Sequence, residues 1–326
     1  MSSEGFPWLV ADIGGTNARF GLVRDESRAV TDIRKLKGAD HPSLQAAALA
    51  YLAGVGADGG NPGVRRAALA LATPVHSDPV KLTNSDWTVS RAAIASALQV
   101  ERVLLINDFE ALALSLPGLR VDSDVRLFGS GRPDPALPMA VVGPGTGLGV
   151  AGCIPNGSGW TALATEGGHV TVAPADDFED ALIGLLRREH AHLSAERLLS
   201  GSGLPTLHRA VCSLRGAPVE TLTPQEITSR ALEGGDAAAL ATLDTFCAML
   251  GTFSGNVALT LGARGGVYVA GGIAQQLGDH FIESRFRERF EAKGRFRDYM
   301  SGIATGLIIA PHAALAGAAT ALVQST

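Results

Sequence analysis

Asp108 stands where the apolar run Val103-Leu104-Leu105-Ile106 stops and the helical run Glu110-Ala111-Leu112-Ala113-Leu114 begins. A carboxylate at such a strand end is rigidly held, and transfer of a phosphoryl group to a sugar hydroxyl needs a base or orienting acceptor on the attacking oxygen. It also needs a metal ion on the nucleotide phosphates and donors around the moving group. Asn107 or Asp108 could equally cap the helix that follows, a common use of both residues at strand-to-helix junctions. Glu166-Gly167-Gly168-His169 sets a carboxylate and an imidazole around a flexible turn, where they can read adjacent hydroxyls as acceptor and donor. Taken alone, the same four residues describe a surface turn with a satisfied histidine. An aspartate near its reference pKa of about 3.9 is too weak to ionise an alcohol beforehand, so the proton should move late, as the oxygen bonds to phosphorus.

Two glycine loops could hold the phosphates. Asp12-Ile13-Gly14-Gly15-Thr16-Asn17 and Gly143-Pro144-Gly145-Thr146-Gly147-Leu148-Gly149 each follow a strand-like apolar run. Glycine at a strand end lets the backbone turn tightly with its N–H groups converging on one spot. Thr16 or Thr146 adds a hydroxyl without bulk. Neither loop is a Walker A motif or a strict G-x-G-x-x-G turn. Gly54-Val55-Gly56-Ala57-Asp58-Gly59 matches that second expression literally but follows a helical pattern, and it reads as chance. A third glycine turn closes the run Gly265 to Gly272 and suits close approach to an adenosine or an α-phosphate. The repeated strand, loop and hairpin suggests two lobes of similar ancestry.

The composition bounds the alternatives. At 326 residues, 46% hydrophobic and 18% charged, the chain suits two lobes of ordinary size. A formal charge of −5 leaves no basic stripe for nucleic acid. The densest basic stretch, Arg285 to Arg297, is interleaved with Glu288, Glu291 and Asp298 and reads as a solvated helix face. Cys153, Cys212 and Cys247 are too sparse for a disulfide framework and point to a reducing cytoplasm. The first five residues lack the charge and apolar core of a signal peptide. The apolar window Gly306 to Val323 is broken by Pro311 and His312, so it reads as a strand and a packed helix, with no membrane partner. His190 and His192 fall on a charged helix end, and no second histidine or cysteine has metal-ligand spacing with His169.

The elements that must position these residues follow from periodicity. Residues 8 to 36 read as a hairpin gripping the first loop, Ser43 to Leu52 as a helix, Ala67 to Leu71 as a strand, and Ser90 as the cap of a helix through Leu98. The order strand, helix, strand, helix implies an α/β lobe with parallel pairing. After the proline-containing stretch Gly129 to Pro138, a second hairpin spans 139 to 154. Helices follow over Phe178 to His190 and after Gly203. Thr223-Pro224-Gln225-Glu226 combines a capping box with proline at the first helical position and opens another, and a long helix runs from Asp236 to Leu261.

In order and spacing, Asp12 to Phe20, Leu82-Thr83-Asn84-Ser85-Asp86-Trp87, Ile106 to Phe109, Gly143 to Gly149, Glu166 to His169, Ser194-Ala195-Glu196-Arg197 and Ala270-Gly271-Gly272-Ile273 resemble the motifs of bacterial-type glucokinase. The likeness runs through nearly the whole chain. It implies an α/β, two-lobed actin-like and hexokinase-like (ribonuclease H-like) ATPase fold with the active site in the interlobe cleft. A small domain would comprise 1–118 plus 311–326 and a large domain 119–310, with the C-terminal helix returning to the first lobe. It further implies transfer of the γ-phosphate of ATP to the 6-hydroxyl of glucose, with Asp108 as catalytic base. Asn84, Asn107, Asp108, Glu166, His169 and Glu196 would contact the sugar. Gly14, Gly15, Thr16 and Asn17 would form the first phosphate loop, Gly145, Thr146 and Gly147 the second, and Gly271 and Gly272 the adenosine side. Asp12 would hold Mg2+ through water.

The related repressor, open reading frame and kinase family carries a cysteine-rich zinc loop that this chain lacks, which favours the zinc-free branch. Ala11 departs from the glycine that often precedes the loop aspartate. Glu196 is assigned by the likeness alone; its residue type and position suggest only a helix-surface carboxylate. Sugar binding would close the lobes before transfer. A sugar-sensing regulator without chemistry would need a DNA-binding helix-turn-helix ahead of the first loop, where only about ten residues stand. An actin-like or chaperone-like ATPase would leave Asn107, Asp108, Glu166, His169 and Glu196 without a shared purpose. A cytoplasmic homodimer is the expected assembly.

Overall fold

The structure is a computed structural model that describes residues 5–56, 62–83 and 85–324. The chain divides into two compact units, one of Met1–Leu119, Pro155–Ala164 and Pro311–Thr326, the other of Arg120–Ile154 and Thr165–Ala310.

The first unit is built on β1 (Trp8–Ile13), β2 (Asn17–Val23), β3 (Val30–Lys37), α1 (Leu44–Val55), β4 (Arg66–Leu71), the short pair β5 (Val80–Lys81) and β6 (Thr88–Val89), α2 (Arg91–Leu98), β7 (Arg102–Asn107) and α3 (Asp108–Ser115). Its main sheet runs β3-β2-β1-β4-β7. β1 pairs antiparallel with β2 and parallel with β4, which is parallel to β7. Alternation decides which side chain faces which layer. Leu9, Ala11 and Ile13 of β1, with Ala67, Leu69 and Leu71 of β4, enter the core shared with α1 and α2. Trp8, Val10, Ala68 and Ala70 enter the opposite core. With both faces covered, β1 and β4 read as continuous apolar runs, as parallel strands must.

The opposite core is closed by α12 (Ala313–Gln324), and Trp160 and Ala162 of β11 (Trp160–Ala164) pack against it. Segment 155–164 therefore groups with the first unit, whereas the sequence reading put it in 119–310. The cause is the apolar side chains that β11 adds to the Trp8 core. Gly317 lets α12 approach α3 so closely that a Cβ there would overlap the carbonyl of Ala111.

The second unit contains β8 (Val125–Phe128), β9 (Met139–Pro144), β10 (Leu148–Pro155), α4 (Asp177–Leu186), α5 (Leu204–Arg215), α6 (Pro224–Leu232), α7 (Ala237–Leu261), β12 (Gly266–Val269), α8 (Gly272–Leu277), α9 (Asp279–Glu283), α10 (Phe286–Glu291), α11 (Arg297–Ser301) and β13 (Thr305–Ile308). Its strands are ordered β10-β9-β12-β13-β8. β9 pairs antiparallel with β10 and parallel with β12, which is parallel to β13. That repeats the order and directions of β2-β1-β4-β7, so the two glycine loops close equivalent hairpins. α7 is long and apolar enough to cross a membrane by composition alone. Most of its residues are buried in the core of this unit.

Some boundaries differ from the sequence reading. α4 stops at Leu186, which leaves His190 and His192 beyond the helix. The basic stretch is not wholly solvated: Arg289 is 5% exposed because it turns inward to Asp176 and Glu179, at 2.8 and 2.6 Å. Gly54 and Val55 belong to α1, which supports reading that glycine match as chance; residues 57–61 lie outside the described ones.

Candidate active site

In the first unit, the loop between β1 and β2 is closed by a hydrogen bond from the Gly14 N–H to the Asn17 carbonyl at 3.0 Å. Thr16 is exposed at its tip, flanked by half-buried Gly15 and Asn17. The Thr16 carbonyl accepts from the Gly38 N–H at 2.9 Å, which ties the loop to the end of β3. Asp12 lies opposite Arg19 in the β1–β2 register, and Arg19 Nη1 donates to Asp12 Oδ2 at 3.1 Å. Burial raises the Asp12 pKa, while Arg19 and His312 oppose the shift.

Asn107 ends β7 and caps α3. Its Oδ1 accepts from the N–H groups of Phe109 and Glu110 at 2.9 and 3.3 Å, and Glu110 Oε2 accepts from the Asn107 N–H at 3.3 Å. The capping role considered for Asn107 is thus real, and Asn107 Nδ2 further donates to the Thr73 carbonyl at 3.3 Å. Asp108 is the first residue of α3, and its Oδ1 also accepts from the Phe109 N–H at 2.9 Å, a bond that opposes the rise of its pKa. Its carboxyl pKa is pushed up to about 7, first by burial and then by the negative charge of Asp12. The expectation of an ordinary aspartate is therefore corrected: the half-buried carboxylate is a much better proton acceptor than one in water. Asp12 and Asp108 come from the carboxyl ends of β1 and β7, the edge of a parallel sheet where ligands bind.

In the second unit, the loop between β9 and β10 is closed by a hydrogen bond from Gly145 N–H to the Gly147 carbonyl at 2.8 Å. Gly271, at φ 96°, sits beside it; a Cβ there would lie 2.5 Å from the Pro144 carbonyl oxygen. Gly272 then opens α8. Glu196 Oε2 accepts from the Leu148 N–H at 2.9 Å, and the Glu196 N–H donates to the Gly168 carbonyl at 2.9 Å. His169 lies between two carboxylates, with Nδ1 3.9 Å from Glu196 Oε1 and Nε2 3.9 Å from Glu166 Oε2. Glu166 and His169 are exposed. A cavity of about 370 Å³ is lined by His169 and Glu196 together with His190, His192 and Arg197.

The structure thus gathers Asp12, Gly14 to Asn17, Asn107 and Asp108 in one unit, and Gly145 to Gly147, Glu166, His169, Glu196, Gly271 and Gly272 in the other. Asn84 lies outside the described residues, although Thr83 beside it meets Thr73 Oγ1 at 3.0 Å. The sequence reading missed Arg19 as the partner of Asp12, which register arithmetic across the hairpin would have found. It also missed His312, whose buried Nδ1 has no hydrogen-bond partner among the described residues. No local signal marks it. Among the described residues no group of three or more His, Cys, Asp or Glu side chains could hold a metal ion.

This fold and these residues define an ATP-dependent sugar kinase of the two-lobed, actin-like class. The chain belongs to the glucokinase family, whose model matches residues 9–325. A protein of Chromobacterium violaceum named glucokinase is 46% identical over 319 residues, covering 98% of this chain and 90% of its own. The crystal structure of a glucokinase from an Antarctic psychrotroph has a TM-score of 0.88 at 35% identity, covering 98% of this chain and all of that one. A ROK family glucokinase from Streptomyces griseus, in complex with glucose and AMPPNP, shares the fold at a TM-score of 0.64 and 20% identity, covering 98% of this chain and all of that one.

Proposed function

We propose that this protein is a glucokinase in activity as well as in family, transferring the γ-phosphate of ATP to the 6-hydroxyl of glucose to give glucose 6-phosphate and ADP. The observation that carries the catalytic assignment is the Asp108 carboxyl, raised to about 7 by burial and by Asp12 at the end of a parallel strand. In this reading the glucose O6–H donates to the Asp108 carboxylate. As O6 bonds to the γ-phosphorus, the bond to the leaving ADP oxygen breaks and the proton passes to Asp108. With a pKa near the working pH, the carboxylate is ionised often enough to act yet basic enough to take the proton in the transition state.

Glu166, His169, Glu196, Asn107 and Asn84 would read the remaining hydroxyls, and a misplaced hydroxyl would leave donors and acceptors unpaired once the bound sugar covers them. The N–H groups of Gly14 to Asn17 and of Gly145 to Gly147 would cradle the phosphates, with Gly271 and Gly272 on the adenosine side. Asp12 fits Mg2+, since this ion is commonly held by one or two carboxylates plus substrate phosphates. The charge crowding of Asp12 and Asp108 favours a cation there. Bound Mg2+ would neutralise charge on the transferring phosphates. Three free, buried cysteines agree with a cytoplasmic setting, and a homodimer is the assembly proposed.

A coupled assay of ADP release against a hexose panel with magnesium ATP tests the activity. Glucose should support turnover, and ADP release with no hexose dependence would refute the reading. Asp108→Ala should lower kcat by roughly 10²- to 10⁴-fold while glucose still binds. Near-normal turnover in that variant would remove Asp108 from the role of base.

A further inference from the structure

Segment 194–202 touches both the turn assigned to the sugar and the loop assigned to the nucleotide. Toward the turn, the Glu196 N–H donates to the Gly168 carbonyl and the Ala195 N–H to the Val170 carbonyl, each at 2.9 Å. Toward the loop, the Gly201 N–H donates to the Gly145 carbonyl at 2.7 Å and Ser202 Oγ to the Thr146 carbonyl at 3.0 Å. Glu196 completes the bridge with its side chain: Oε2 accepts from the Leu148 N–H at 2.9 Å while Oε1 faces His169 Nδ1 at 3.9 Å. The fit leaves no slack. A Cβ on Gly147 would stand 2.5 Å from Glu196 Oε2, and one on Gly168 would overlap the Leu148 carbonyl.

We propose that Glu196 is a coupling residue: one carboxylate holds the second phosphate loop with one oxygen and serves the sugar with the other, so that occupancy of either site biases the other. This rests on the assignment of 166–169 and 196 to glucose and of 143–149 to the nucleotide. A sugar hydroxyl that donates to Oε1 fixes the carboxylate plane, and with it the acceptor on which the Leu148 N–H depends. The loop is then set before the phosphates arrive. By reciprocity a loop already ordered by nucleotide presents the carboxylate to the sugar. The consequence is specific: a substitution at Gly147, a loop residue, should harm glucose binding in the absence of any nucleotide.

The test measures glucose and AMPPNP dissociation constants by calorimetry on the full chain, each ligand alone and with the other saturating. In the parent, glucose should tighten AMPPNP by about fivefold or more. Gly147→Ala should weaken glucose alone by roughly tenfold, the loss of about one charge-assisted hydrogen bond. Gly184→Ala is the contrast, because Gly184 lies within α4 outside both loops and a Cβ there meets nothing within 4 Å; its glucose affinity should stay near that of the parent. Glu196→Gln should weaken glucose and shrink the mutual tightening toward none, and it decides the matter if Gly147→Ala does not fold. Unchanged glucose affinity in Gly147→Ala, equal weakening in Gly184→Ala, or coupling retained in Glu196→Gln would each overturn the proposal. A parent that binds no glucose would instead overturn the functional assignment.

Discussion

Each unit sets two carboxylates near one another, buried Glu179 beside exposed Asp176 in one and half-buried Asp12 and Asp108 in the other, and they are treated in opposite ways. Asp176 and Glu179 share the guanidinium of Arg289, with donors at 2.8 and 2.6 Å, and Arg289 is further held by Thr252 Oγ1 at 3.1 Å. Burial still pushes Glu179 up, but for Asp176 the Glu179 amide and Arg289 outweigh burial and bring it below the usual range. Asp12 and Asp108 have a single arginine, Arg19, which reaches Asp12 alone, and both carboxyls are raised. The compensated pair organises structure. An undercompensated one stores unfavourable charge that a cation, a phosphate-bound metal or a transferred proton can relieve, and this is the usual state of groups that do chemistry.

The largest effect expected from this contrast is on the compensated side. Arg289→Met keeps the bulk of the side chain and strands the buried Glu179 carboxylate, while exposed Asp176 can turn to water, so it should cost about 3 kcal/mol. A urea titration followed by circular dichroism would measure it, with tryptophan fluorescence reporting the first unit alone, because Trp8, Trp87 and Trp160 all lie there. The two units need not unfold together, so the transition should be followed with both probes. A loss below about 1 kcal/mol would mean that Arg289 compensates little and that the contrast is false.

On the undercompensated side the sign reverses. The Asp108 carboxyl rises from its ordinary 3.8 to about 7 on folding, so its ionisation opposes the fold. The stability it leaves intact below about pH 4 is lost progressively as pH climbs to about 7, and above that the loss is complete. Asp108→Asn should therefore raise the melting temperature at pH 8, by on the order of 5 °C, and the gain should dwindle toward pH 4. The same group predicts that kcat/KM falls as pH drops below about 7, where the base becomes protonated. A variant that melts no higher than the parent at pH 8 would show that Asp108 is not strained by its setting.

Much of the scaffold beneath this contrast is legible in the sequence alone. Both glycine hairpins, the strand that delivers Asp108 and the capping box at Thr223 follow from period-2 runs, glycine turns and cap chemistry, all of which are local. Arg289 was misread because its stretch has the alternating charge of a solvated face; only the tertiary position of Asp176 and Glu179 turns it inward. The raised Asp108 pKa was equally hidden, since it comes first from tertiary burial and then from the charge of Asp12 on another strand of the sheet, not from any neighbour in sequence. Glu196 is the hardest case. Nothing in Ser194-Ala195-Glu196-Arg197 itself says that its carboxylate reaches back to the Leu148 amide; that is a property of the turn and the loop together.

The smallest effect concerns caps, and it separates structure from recognition. Asn107 and Thr223 each close a capping box, Asn107 with Glu110 at the head of α3 and Thr223 with Glu226 at the head of α6. Substituting either by alanine should cost about 1 kcal/mol, because each leaves helix N–H groups without their acceptor. Here the likeness should end. Thr223 is far in function from the sugar and its loss should leave the glucose KM in place. Asn107 precedes the base and donates from Nδ2 to the Thr73 carbonyl, and Nδ2 keeps a second hydrogen that the proposed glucose contact would use. Asn107→Ala should therefore raise the glucose KM several-fold on top of its stability cost. If both variants lose the same stability and neither moves KM, Asn107 is a cap only, and the sugar contact assigned to it belongs to another side chain.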